Sequence, residues 1–130
     1  MNTFMVYLDA IRDHLDLHHL PEVASLTIGG RPGHPVVVQL GTHGDLVALA
    51  EGLLSWASTL DEVTASIWRV PDGGSVHLSI TGRMPCGVPV DVYGGVFFDE
   101  SVFPDLPAGS KQDMPVFVLH TWARPEGVAA

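Results

Sequence analysis

Only one cysteine, Cys86, and one lysine, Lys111, occur among the 130 residues of this chain. A lone cysteine excludes an intramolecular disulfide and any zinc cluster built from cysteines. Basic side chains are scarce altogether: six face 15 acidic ones, for a formal net charge of −9. A field of that sign repels phosphate backbones and anionic lipid, so no direct contact with nucleic acid or a membrane surface is expected. Long apolar runs are missing too, and no stretch approaches the ~20 residues of a membrane-spanning helix. Met1 to Leu8 reads as free of a basic leader segment and a cleavage site, with Asp9 interrupting the apolar run. These absences point to the cytoplasm.

Charged residues make up 16% of the chain against 46% apolar ones. Small free-standing domains carry about a quarter. So few charges imply that part of the surface meets a partner protein or a second copy of the chain. The carboxylates are scattered rather than gathered into a tail, and they read first as a solubilising surface. The length suits one domain, residues 1–130, which buries roughly two-thirds of its unfolded surface without a metal or disulfide.

Hydrophobic periodicity supplies the elements. Phe4, Leu8, Ile11 and Leu15 recur at helical spacing, predicting an amphipathic helix over Thr3 to Leu17 that ends before Pro21. Val23 to Ile28 and Pro35 to Leu40 read as a hairpin around a Gly29–Gly33 loop. Thr42 and Asp45 resemble a capping box for a second, heavily buried helix to about Leu60. A meander follows: Glu62 to Val70, the turn Pro71-Asp72-Gly73-Gly74, Ser75 to Arg83, the turn Met84 to Gly87, and Val88 to Tyr93. Pro89 cannot donate to a ladder, which predicts an edge position or a bulge for that last strand. Gly94-Gly95 opens an irregular apolar tail over residues 95–130, in which Val116 to Trp122 reads as a strand apolar on both faces. The expected fold is α+β: two helices on one face of a mainly antiparallel five- to six-stranded sheet. Its element order is α-β-β-α-β-β-β-(β), with residues 1–94 as the core unit.

Candidate chemistry is sparse. His14 and His18, four apart on the first helix, have a spacing that can hold a metal through imidazole nitrogens, and a site needs at least a third ligand from elsewhere. A helix-boundary position with a wet polar tip is the competing reading for both. Cys86 lies at a hairpin tip about 20 Å of extended strand from His77, outside general-base reach. The glycine pairs 29–30, 73–74 and 94–95 read as turns and strand ends; no phosphate-binding loop or nucleophile elbow is present. Asp61-Glu62 and Asp99-Glu100 are neighbours in sequence whose side chains diverge in an extended chain. The meander's polar face is richer. Trp68, His77, Ser79, Thr81, Asp91 and Tyr93 share it, with Trp68 opposite His77 and Asp91 expected as a diagonal neighbour of His77. A His77/Asp91/Tyr93 cluster suits acid–base work, and an ordinary hydrophilic sheet face is the competing reading.

The stretches Trp68–Gly82 (WRVPDGGSVHLSITG) and Val90–Gly95 (VDVYGG) resemble small uncharacterised actinobacterial proteins. That resemblance spans roughly residues 4–96 and implies no activity or site residue. The order helix–hairpin–helix–meander is also similar to the secretion-chaperone-like fold, which implies a dimer that binds extended client segments. The sequence departs from that fold in having two strands before the second helix and no clear last helix.

The expectation is therefore a non-catalytic, protein-binding adaptor or accessory domain acting as a homodimer, without a cofactor. Trp68, Tyr93, Phe103 and Trp122 are its contact candidates, because aromatics dominate interface energetics. One alternative is a small enzyme using the His77/Asp91/Tyr93 face. Another is an acidic inhibitor of a nucleic-acid-handling protein from a mobile element.

Overall fold

A computed structural model describes residues 3–123. The elements are α1 (Thr3–Leu17), β1 (Val23–Arg31), β2 (His34–Leu40), α2 (Leu46–Ala57), β3 (Asp61–Arg69), β4 (Ser75–Arg83), β5 (Pro89–Phe97), β6 (Lys111–Met114) and α3 (Phe117–Ala123). The fold is α+β, with six strands in one mixed, mostly antiparallel open sheet, ordered β1-β2-β5-β4-β3-β6. No helix among the described residues is long and apolar enough to cross a membrane.

The helices cover one face of the sheet. Alternation along each strand sends Val36, Val38 and Leu40 of β2, Val76, Leu78 and Ile80 of β4, and Val90 and Val92 of β5 into a core closed by Leu49, Leu53 and Trp56 of α2. α2 starts where His43 and Gly44, both left-handed, turn the chain sharply. Its cap is Asp45 rather than Thr42: the carboxylate accepts from Ala48 N at 3.1 Å, where a negative charge also suits the helix dipole. The buried side of α1 carries Tyr7, Ile11, His14 and Leu15, a stripe turned from the expected one, and Phe4 is left half exposed.

The structure corrects three sequence expectations. First, β5 is an interior strand, not an edge. It pairs along its length with β4 and, through Asp91, Val92 and Tyr93, runs parallel to β2. Pro89 is tolerated because it occupies the first position of β5, before the β2 pairing begins. Second, Gly94-Gly95 lies inside β5 rather than opening an irregular tail. The helix-side face is crowded at Gly94, where an added Cβ would lie 2.5 Å from Leu49 Cδ1, whereas at Gly95 it would meet His77 Cδ2 at an ordinary 3.5 Å. Third, residues Val116 to Trp122 form no strand. Pro115 begins a turn whose carbonyl accepts from Val118 N, and the chain continues as α3. Six apolar side chains within Val116–Ala123 hide the period, so pattern alone cannot separate strand from helix. In α3 Leu119 is wholly buried while Phe117, two residues earlier, is 67% exposed, which is a helical and not a strand alternation.

The last third of the described chain packs on its own core. Phe103 and Leu106 are buried, and Phe103 stacks with Phe98 and meets Trp122 edge-on. Arg69 ties this segment to the sheet. Its guanidinium lies 3.4 Å over the Phe98 ring and donates to the Gly73 and Leu106 carbonyls, while its backbone bonds Gly109 and Ser110. Its carbonyls fixed, the segment returns as β6, a short polar edge strand paired with β3.

Candidate binding groove

On the opposite face of the sheet no helix lies among the described residues. Three cross-strand rows of this face, set by the pairing register, meet at its centre. One row carries Thr27, Val37, Asp91 and Thr81; the next carries Ser25, Gln39, Tyr93, Ser79, Ser66 and Asp113. The third carries Lys111, Trp68 and His77, and ends on Gly95. A cavity of about 540 Å³, open to solvent on one side, lies along this face and takes lining residues from all six strands.

An aromatic trio occupies its centre. Trp68 stands directly opposite His77, ring centroids 5.1 Å apart and nearly perpendicular. His77 stacks on Tyr93 at 5.5 Å. The imidazole lies over Gly95 of β5, at the van der Waals distance an added Cβ would keep. Partial burial holds the His77 pKa below its ordinary 6.5, favouring the neutral imidazole.

Asp91 is not a partner of His77. His77 pairs with Gly95 and Asp91 with Thr81, four residues away along the ladder, so the expected diagonal contact does not exist. The diagonal neighbour of His77 is Tyr93. Asp91 is instead held by His34 Nδ1 on one carboxylate oxygen and by the Thr81 hydroxyl, at 2.9 Å, on the other. An ionised carboxylate only accepts, so Nδ1 carries the proton and Nε2 of a neutral His34 is left as the basic nitrogen. Ser66 and Ser79 hydroxyls pair at 2.8 Å in the adjoining row.

Of the six binding candidates read from the sequence, Trp68, His77, Asp91 and Tyr93 line this one cavity. Phe103 and Trp122 do not. They pack against each other on the helix side, where burial consumes the apolar surface that made them contact candidates. His34, Arg31, Lys111 and Thr27 line the groove as well and were missed. His34 sits between Gly33 and Pro35 and reads as loop; only the parallel β2–β5 pairing, which no local pattern signals, brings it to Asp91.

The other sequence candidates lie elsewhere. His14 is 5% exposed and stacks on Trp56, with Nε2 bonded to Thr59 Oγ1 at 2.8 Å. Thr59 gives its own proton to the Trp56 carbonyl, so the bond runs from His14 to Thr59. Burial first, and the neighbouring His18 second, push the His14 pKa down. The two imidazoles stand 4.6 Å apart, and among the described residues no group of three metal-ligating side chains includes them. Cys86 is exposed in the β4–β5 turn, at the end of the ladder opposite to His77.

Comparison of the chain with protein-family models, with curated proteins and with solved structures gives no match.

Proposed function

We propose that this chain is a non-catalytic binding module whose open sheet face receives a segment of a partner protein. The observation that carries this reading is the Trp68–His77–Tyr93 trio, half buried on a face that no helix among the described residues covers. Aromatic side chains supply large contact area at low entropic cost, and Trp and Tyr dominate binding energetics where they are central to a patch. Hydroxyls of Ser66, Ser79 and Thr81 surround the trio with short polar groups suited to backbone hydrogen bonds. The module acts in the cytoplasm, where an exposed Cys86 stays reduced.

The homodimer expectation rests on low charge and the absence of a convergent catalytic set, and on reading Val116–Trp122 as a two-faced strand. That segment is α3, and Leu119 fills the chain's own core. A different protein is therefore the better-supported occupant than a second copy. Display selection of peptides on the immobilised chain tests the reading. Selected binders should lose affinity for Trp68→Ala and keep it for Phe117→Ser, with light scattering reporting any dimer. Binders indifferent to Trp68→Ala and Tyr93→Ala would refute it.

A second reading, proton transfer, is favoured by one observation: the Asp91 carboxylate orients His34, leaving Nε2 as a base. It requires hydrolysis of an ester or amide probe that His34→Gln reduces by about 10²-fold or more. Equal rates in the two proteins would dismiss it.

A further inference from the structure

The basic residues divide in a way that identifies the occupant's charge. Five basic side chains lie among the described residues. Arg12 pairs with Asp9, and Arg83 pairs with Glu62 and donates to the Gly87 carbonyl. Arg69 is consumed by Gly73, Leu106 and Phe98. The remaining two, Arg31 and Lys111, have no ion pair or side-chain hydrogen bond among the described residues, and both line the groove. In a chain of net charge −9, both of the described cations left unspent line this one cavity. Among the described residues Asp91 is the one carboxylate lining it, and it is already matched by His34 and Thr81; Asp113 stands on the same face in the row next to Lys111.

The two cations also mark the ends of the cavity. Arg31 belongs to β1 and Lys111 to β6, the two outer strands. Strands about 4.8 Å apart place those edges about 24 Å from each other. Arg31 lies beside His34 at the β1–β2 turn, whereas Lys111 lies level with Trp68 and His77, so the line between them runs diagonally over the sheet. A polypeptide of about seven to ten extended residues covers that path. The trio lies on it, close to the Lys111 end.

Resting on the reading of the groove given above, we propose that its occupant is an acidic, extended segment of a partner protein. The segment carries carboxylates toward both ends, which meet Arg31 and Lys111, and an aromatic or long aliphatic side chain between them, which packs on Trp68, His77 and Tyr93. Local complementarity of this kind fixes register and excludes wrong partners even where the rest of the surface has the opposite preference.

The test uses the full chain and three labelled ten-residue peptide libraries with blocked termini, each randomised at interior positions around a central Trp, Phe or Leu. The sets differ only in carrying Glu, Gln or Lys near both ends. Fluorescence polarisation should find binders in the Glu set, weakened by about tenfold or more in the Arg31→Glu/Lys111→Glu double variant. That variant should move the preference to the Lys set, and Arg12→Glu, remote from the groove, should change neither. Unchanged melting temperatures establish that the variants fold. Gln or Lys sets that bind as tightly as the Glu set, still sensitive to Trp68→Ala, would overturn the acidic occupant and leave the groove reading standing. Absence of binders in all three sets would overturn both.

Discussion

Leu49 on α2 fills the space that Gly94 leaves open on β5: a methyl group added at Gly94 would lie 2.5 Å from Leu49 Cδ1, and Leu49 is wholly buried. This contact seats the helix on the covered face, while Gly95, the next residue, lies under His77 on the other. Gly94→Ala should therefore destabilise by about 1–3 kcal/mol through overpacking. Leu49→Val in the same chain should recover part of that loss. Denaturant unfolding of both single variants and the double variant measures the coupling; additivity within about 0.5 kcal/mol would deny the contact.

Leu119 and Phe117 separate the helix from the strand that the sequence suggested. Leu119→Ala should cost about 2–5 kcal/mol, because the side chain is fully buried. Phe117→Ser should change stability by no more than about 0.5 kcal/mol. In a strand the two residues share a face and would respond alike.

Arg69 holds the returning segment by geometry as much as by charge. Arg69→Lys should destabilise by about 1.5–3 kcal/mol, since one ammonium cannot serve both the Gly73 and Leu106 carbonyls and also stack on Phe98. Arg69→Ala should cost at least as much. Amide exchange should accelerate first at Gly109 and Ser110, whose backbones bond Arg69; uniform acceleration would contradict this role.

The parts of the fold that were legible in sequence are those specified by neighbours. Thr3–Leu17 and Ser75–Arg83 have the expected limits, and Trp68 faces His77 because the four-residue turn Pro71–Gly74 sets that register. The parts that escaped depend on distant residues. β6 is Lys-Gln-Asp-Met, a sequence with no strand pattern that is held through backbone pairing to β3. The parallel contact of β2 with β5 has no local signature, so His34 and Arg31 stayed outside the expected site and Asp91 was given the wrong histidine. Four of the six candidate site residues nevertheless converge on the groove, because strand alternation alone sorts them to one face.

Acid should weaken the fold through two histidines. Burial holds His14 and His77 below the ordinary 6.5, so the unfolded chain takes up protons that the folded chain refuses. Their contribution is complete above pH 6.5 and falls as pH drops through that value toward the lowered folded-state pKa, below which it levels off. Melting temperatures between pH 7.5 and 5.5 should decline, and more shallowly in His14→Gln, which keeps a donor for Thr59. A decline of equal slope in His14→Gln and His77→Gln together would locate the protons elsewhere.

The parallel seam sets an order of assembly. The β3–β4 and β4–β5 hairpins join residues close in sequence, whereas His34 and Asp91 are 57 positions apart. Closing that loop carries the larger entropic cost, so contacts across it form late. The groove straddles the seam, with Arg31 and His34 on one side and the aromatic trio on the other. A chain with an unfinished fold thus presents half a groove, and only a completed one carries both cations on one continuous face.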